Sequence, residues 1–259
     1  MLEVFNRYWR VVGTGISFAS FGVGGLLLRV LVFPTMNIFV WNASRRKTAA
    51  RNVIRLTFRA FVRMMVGLRV LRYEIKGLEK LERRGLLILA NHPTLIDTVF
   101  LMSFVKQADC IVKNQLWNNP VTHGPVRAAG YINNTSGPEL IEQCIKSIQQ
   151  GSNLIVFPEG TRTRRDGSIC FKRGAANIAV RGNIDVTPVL IRCTPSTLGK
   201  EDKWWKVPAR RVQLTIEVRD DIPIHPFIAA ADNEAIAARR LTEYLQHFFV
   251  EENKGHAVA

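Results

Sequence analysis

The first 72 residues hold a single carboxylate, Glu3. Twelve lysines and arginines share that stretch, a net of +11, which leaves only +4 of the chain's +15 for residues 73–259. A segment so poor in acid cannot neutralise its own charge, so the excess points to a polyanionic partner. Nucleic acid, an anionic membrane surface and a phosphate-bearing ligand all fit. Charge of either sign is missing from residues 11–28, VVGTGISFASFGVGGLLL, a run near the lower limit for a bilayer span. Clustered cysteine is also missing. Cys110, Cys144, Cys170 and Cys193 are scattered, with no CxxC pair and no Cys/His group, which argues against a metal site and suits a reducing compartment. No internal repeat or low-complexity tract appears. With 259 residues, 47% hydrophobic and 22% charged, the chain is not disordered, and it is long enough for one large domain or a domain plus an appendage.

The apolar run continues past Arg29 through Pro34 to Trp41 and is followed by Arg45, Arg46 and Lys47. No small-x-small cleavage site follows it directly, against a cleaved signal peptide. Arg7 and Arg10 precede the block, so both flanks are positive and both favour the cytoplasmic side. A single span satisfies one flank, whereas a re-entrant hairpin bent around Gly24, Gly25 and Pro34 satisfies both. The hairpin is the expected form. Next, Arg51, Arg55, Arg59 and Arg63 recur every fourth residue, one stripe on a helix whose other positions are largely apolar. The pattern predicts an interfacial helix with arginines at headgroup level, and a packed helix with a solvated stripe is the alternative. Residues 1–72 are thus expected to be an N-terminal membrane-binding helical segment.

From Tyr73 the pattern changes. Strands are predicted at YEIKG, GLLILANHP, ADCIVK, NLIVFPEG, 184–193 and 211–218, and helices at 137–151, 173–182 and 231–253, the last with Asp232 as N-cap. Alternation of this kind predicts an α/β domain over 73–259, its central sheet mainly parallel or mixed and flanked by helices. Ligands of such sheets bind beyond the carboxyl ends of strands, where ANHP and FPEG both lie. Pro188, inside an apolar run, predicts an edge strand or a bulge. Trp204 and Trp205 fall in a polar loop, 200–211, that reads as ordinary surface or as a substrate or membrane contact.

Two stretches carry candidate chemistry. In NHPTLID, Pro93 suits the first turn of a helix, which places His92 at the strand-to-helix corner. Five helical residues advance roughly 140° net, so Asp97 reaches the imidazole only if His92 precedes the helix. Asp97 would then fix the tautomer of His92 and leave the other ring nitrogen as a base. Taken alone, a capping residue beside a solvated Asp is the better explanation of the stretch. In FPEGTRT, Glu159, Gly160, Thr161 and Arg162 follow a buried strand. Glycine permits close backbone approach to a ligand, and arginine offers a planar fork for phosphate or carboxylate. A polar turn with a local ion pair is the alternative, and nearby Arg164, Arg165, Lys172 and Arg173 favour an anion site.

Together these blocks resemble the glycerolipid acyltransferases of the 1-acylglycerol-3-phosphate O-acyltransferase type, over roughly residues 73–220. Asn91, His92, Thr94 and Asp97 match the family's N-H-x-S-x-x-D block with Thr for Ser. Phe157 to Arg162 match F-P-E-G-T-R, and Val186, Pro188 and Val189 approximate V-x-P-[VI]. The resemblance implies transfer of a fatty acyl group from acyl-CoA or acyl carrier protein, as co-substrate and not cofactor, to the hydroxyl of a lysophospholipid. It implies His92 as general base oriented by Asp97, an acceptor site at Glu159–Arg162, and Lys113 as a candidate oxyanion or thioester contact. Localisation at the inner membrane, with the catalytic domain on the cytoplasmic face, is expected. The family's second block carries an arginine for the acceptor phosphate; GYINNTSG (130–137) has none, which suggests a less anionic acceptor such as a lyso-aminolipid or glycolipid. A nucleic-acid partner is not expected, since the basic excess surrounds an apolar block. A non-catalytic membrane module and a thioester hydrolase are the remaining rivals.

Overall fold

The computed structural model describes residues 2–119, 122–135, 139–164 and 166–254, with the side chains of residues 2–5 outside that description. Gly137 and Pro138, read as a helix start, and the candidate residues Ser136 and Arg165 lie outside it.

Strands β1 (Leu71–Lys76), β2 (Leu87–Ala90), β3 (Ala108–Val112), β4 (Ile132–Asn133), β5 (Asn153–Val156), β6 (Val186–Thr194) and β7 (Val212–Val218) form one sheet in the order β1-β7-β6-β2-β5-β3-β4. The five strands from β6 to β4 are mutually parallel, while β7 runs antiparallel to β6. Helices cover both faces, so central strands are apolar on both sides and read as continuous runs. Within β2, Ile88 and Ala90 join one core layer and Leu87 and Leu89 the other, the two-residue period of a pleated strand. The first layer packs beneath α3 (Ala43–Gly67), α4 (Asp97–Phe104) and α6 (His123–Ala128); α5 (Asn114–Asn118) precedes α6. The second packs beneath α7 (Glu139–Gln149), α8 (Gly174–Gly182) and α10 (Glu234–Lys254), with α9 (His225–Ala229) alongside.

The N-terminal segment differs from its sequence reading. α1 (Leu2–Leu27), a π-helical turn (Leu28–Val32) and α2 (Phe33–Phe39) form one continuous helix through Gly24, Gly25 and Pro34. A proline ring inside a helix crowds the carbonyl four residues back. Here the wider π turn ends at Val32, one residue short of Pro34, and makes room for the ring, and the Thr35 hydroxyl bonds the Leu31 and Val32 carbonyls at 2.9 and 2.8 Å. The chain reverses only at Val40–Asn42, where Asn42 Oδ1 caps α3 through the Arg45 N–H at 3.0 Å. α3 is therefore the return arm. Trp9 Nε1 donates to the Leu68 carbonyl and Phe21 packs on Phe58 and Phe61, an antiparallel pairing.

The arginine stripe also differs from expectation, because its first member turns inward. Arg51 is buried and bonds Asp109 Oδ2 at 2.5 Å, Ser152 Oγ at 2.7 Å and the Ala129 carbonyl at 3.0 Å. Asp109 also accepts from Ser147 Oγ and the Cys110 N–H. Asp109→Ala would leave a buried guanidinium without its counter-charge, an expected loss of about 3–5 kcal/mol. A lowered midpoint in chemical denaturation of the full chain in neutral detergent is the check.

Three smaller corrections follow from local geometry. Helix α4 begins at Asp97, so Pro93 precedes it by a full turn. Asn233, not Asp232, caps α10 through the Ile236 N–H at 3.0 Å. Pro188 lies in central strand β6, not at an edge: Arg219 N–H donates to its carbonyl at the last rung beside β7, so only the return bond is missing.

Candidate functional site

The site gathers at the carboxyl ends of β2 and β5. Asn91 ends β2 and continues its ladder by side chain. Its Oδ1 accepts the Ile191 N–H at 2.7 Å and its Nδ2 donates to the Ile191 carbonyl at 2.8 Å. The amide supplies a separate donor and acceptor for the two halves of that exchange. With Asn91 held to β6, the chain curls through His92–Ile96 before α4 starts. The curl brings His92 Nδ1 to 2.9 Å from Asp97 Oδ2. The side-chain pair expected from NHPTLID is therefore present as geometry.

Asp97 is fully buried and also accepts the Thr94 N–H on Oδ2 at 2.7 Å and the Thr94 hydroxyl on Oδ1 at 2.5 Å. Burial pushes its carboxyl above the ordinary carboxylate range, while the bonds from His92 and Thr94 pull it back. An acceptor carboxylate at Nδ1 calls for a proton there, which leaves Nε2 with its lone pair. The imidazole stacks on Phe157, ring centroids 4.2 Å apart, so its plane is fixed from a second side.

The FPEGTRT loop clamps onto this curl. The Thr163 N–H donates to the His92 carbonyl at 2.8 Å. Glu159 Oε1 accepts both the His92 N–H and the Thr163 hydroxyl, each at 2.9 Å. Glu159 is buried, and burial raises its carboxyl above the usual range. Its visible work is to lock two loops. Arg162 Nη1 donates to the Leu198 and Gly199 carbonyls at 3.0 and 2.7 Å, and the Leu95 N–H meets the same Leu198 carbonyl, so a third loop is tied in. Gly160 has φ +66°, and the Lys172 ammonium lies 3.1 Å from where a Cβ would project. A side chain there would meet both backbone strain and Lys172. Thr161 is half-buried at the turn.

Lys113 is exposed at the end of β3. Strand register places Asn114 level with His92, but β3 is two strands away, about 10 Å across the sheet. Lys113 thus shares the edge without joining the His92 cluster. Asn133 and Asn134 bond Asn114 on that edge, amides engaged with one another. Burial pushes the Cys193 thiol up to about 12, which keeps it protonated at neutral pH and unsuited to nucleophilic attack. Asn91, Thr94, Phe157 and Thr163 were not singled out from sequence as site residues. All four lie within or next to the two motifs, and that adjacency was the available signal.

Residues 72–192 match the family model described as Acyltransferase. A 1-acyl-sn-glycerol-3-phosphate acyltransferase of Helicobacter pylori is 28% identical over 170 residues, 62% of this chain and 69% of that one. One from Pseudomonas aeruginosa is 26% identical over 125 residues, 46% of this chain and 49% of its own. The chain spans about half the length of several curated relatives it matches. Its fold is that of the crystal structure of the 1-acyl-sn-glycerophosphate acyltransferase PlsC from Thermotoga maritima, with a TM-score of 0.67 at 18% identity, covering 97% of this chain and 98% of that one. Residues 72–192 thus carry the acyltransferase domain that the family model describes, and the chain is similar to the 1-acyl-sn-glycerol-3-phosphate acyltransferases.

Proposed function

We propose that the protein moves a fatty acyl group from an acyl thioester, acyl-CoA or acyl carrier protein, to the free hydroxyl of a lysophospholipid of the 1-acylglycerol-3-phosphate kind. The observation that carries this reading is the His92–Asp97 pair, 2.9 Å apart at a strand end and clamped by the FPEGTRT loop. His92 Nε2 takes the acceptor hydroxyl proton as the oxygen attacks the thioester carbonyl. The tetrahedral intermediate collapses with cleavage of the C–S bond, and the imidazolium returns the proton to the leaving thiolate. Asp97 stabilises the imidazolium between those steps. Lys172, Lys113 and the remaining N–H groups of Arg162 supply the positive rim for the acceptor phosphate or the carrier's phosphates. No cofactor takes part.

Membrane association belongs to the same reading. Asn6–Phe39 is an apolar helix most of which is exposed. At about 51 Å it exceeds the roughly 30 Å hydrocarbon core, and its antiparallel pairing with α3 carries the chain back alongside it, so we read it as lying along or tilted within the interface. Exposed Trp204 and Trp205 extend this surface, with Trp204 packed on Phe18. We place the protein on the cytoplasmic face of the inner membrane, with residues 1–72 as its membrane-binding segment and 73–259 as its catalytic domain.

A second reading, a non-phosphate acceptor, is favoured by the uncharged Asn114–Asn133–Asn134 cluster. One experiment separates the two: mass spectrometry of products from one thioester and a panel of lyso-lipids. Phosphatidate from lysophosphatidate is the expected product. Acylation of a lyso-aminolipid alone would establish the second reading, and release of free fatty acid alone would overturn both.

The scaffold role of Glu159 gives a separate expectation. Glu159→Gln keeps a carbonyl oxygen for His92 N–H and the Thr163 hydroxyl and should hold turnover within about tenfold. Glu159→Ala orphans both donors, at about 1–3 kcal/mol each. Because burial raises the folded-state carboxyl, its stability contribution is complete below the unfolded value near about 4.3 and fades as pH rises through the folded one. Glutamine has nothing to titrate. The melting temperature of Glu159→Gln relative to wild type should therefore climb between acid and neutral pH.

A further inference from the structure

A second basic site lies away from His92. A cavity of about 550 Å³ opens between α2, the start of α3 and α6, and Arg29, Arg46, Lys47 and Arg127 line it. No Asp or Glu contributes to its lining among the described residues. One wall is apolar, from Phe33 and Pro34, and exposed Val30, Leu31, Ile38 and Phe39 continue that wall outward along the helix.

The cations are held in place. Arg29 lies in the π-helical turn, and its Cβ and Cγ pass within 3.0 and 2.9 Å of where Gly124 would carry a Cβ. Gly124 thus admits Arg29 to the cavity wall, and π turns often mark functional positions. Arg46 Nη1 bonds the Val40 carbonyl at 3.3 Å, and Arg127 sits over the Trp117 ring at 5.9 Å. Lys47 reaches over Gly130, where a Cβ would stand 3.1 Å from its Cε. Burial, then the nearby Arg51 charge, holds the Lys47 ammonium below the ordinary lysine range. Asp109 acts on Lys47, but Arg51 already engages it at 2.5 Å. Gathering cations around a cavity without carboxylates costs electrostatic energy that a bound anion recovers.

The position excludes the acyl-transfer centre. Register sets Gly130 level with Asp109 and His92 level with Asn114, five residues or about 16 Å along the strand direction.

We propose that this cavity is a non-catalytic site for the phosphate of an anionic phospholipid, whose acyl chains lie along the exposed apolar face of the α1–α2 helix. The shared chemistry with free phosphate or coenzyme A is the phosphate group; the adjoining apolar wall selects the lipid. The proposal does not depend on the acyltransferase reading.

Native mass spectrometry of the full chain in neutral detergent, with short-chain phosphatidylglycerol and no thioester, tests it. Wild type is expected to retain one phosphatidylglycerol per chain and to hold phosphatidylcholine at least tenfold more weakly. Arg46→Gln/Arg127→Gln is expected to lose at least tenfold, Arg46→Lys/Arg127→Lys to recover most of the binding, and Lys172→Gln, at the His92 edge, to bind as wild type does. On wild type alone, raising salt from about 0.05 to about 0.5 M should weaken binding at least tenfold. Equal retention of phosphatidylcholine, salt-insensitive binding, indifference to the arginine pair or loss in Lys172→Gln would each overturn the site. Displacement by equimolar inorganic phosphate or coenzyme A would overturn its assignment to lipid.

Discussion

A folded His92→Ala variant is expected to lose about 10²–10⁴-fold in turnover, the usual worth of a positioned general base. A thousandfold loss corresponds to about 4 kcal/mol of barrier. The fold should survive, because His92 supports its surroundings through its backbone. Its N–H binds Glu159 and its carbonyl binds the Thr163 N–H, and alanine keeps both. What alanine removes is the imidazole between Asp97 and Phe157. The acceptor KM should change little, since the ring serves the attacking hydroxyl and not the phosphate. Single-turnover acyl transfer in mixed micelles, beside a thermal melt by circular dichroism, reads both halves. A wild-type rate in a variant that melts like wild type would refute His92 as the base.

The sheet was largely legible because its strands are buried on both faces. LLILA and NLIVF are short, unbroken apolar runs ended by polar turns, and they fall at β2 and β5. β4 was not legible, since a strand of two residues carries no period. Gly24, Gly25 and Pro34 suggested a bend because glycine and proline oppose helix locally. The tertiary pairing of α1 with α3 and the π turn before Pro34 override that preference. The arginine stripe showed its spacing but not its neighbour. Asp109 lies 58 residues from Arg51, beyond the reach of any periodicity reading.

The site was legible in part for a similar reason. NHPTLID was ambiguous while the helix start was unknown, because the same spacing separates His92 and Asp97 on a helix and joins them on a curl. The fixed start of α4 at Asp97 settles which geometry holds. The side chains of Glu159 and Arg162 are long enough to reach either a ligand or a backbone group. Sequence pointed both outward, whereas Glu159 binds His92 N–H and Thr163, and Arg162 binds the Leu198–Gly199 carbonyls.

Asp97→Asn and Asp97→Ala are expected to separate charge from orientation. Oδ2 of Asp97 accepts from both Thr94 N–H and His92 Nδ1, while Oδ1 faces the Thr94 hydroxyl. The Thr94 N–H is a fixed donor, so an asparagine must set its oxygen at the Oδ2 position. Its NH₂ then faces a hydroxyl that can rotate to accept. The proton stays on His92 Nδ1 and the base remains correctly presented. Only the negative charge that stabilises the imidazolium is lost, a fall in turnover of about 10²-fold, short of the roughly 10⁴-fold that accompanies a wrong tautomer. Stability moves the other way. Burial raises the Asp97 carboxyl in the folded state, so its stabilising contribution is complete at low pH and is lost as pH rises through that raised value. Asparagine escapes the loss, and its melting temperature relative to wild type should rise with pH. Asp97→Ala has no such compensation. It orphans three donors in a buried pocket and frees the imidazole, so turnover should fall about 10³–10⁴-fold and the melting temperature should fall with it. Parallel melts and single-turnover rates of the two variants across pH give the comparison. Wild-type turnover in Asp97→Asn would show that the charge of Asp97 has no part in the reaction, and equal rates in the two variants would show that orientation has none beyond it.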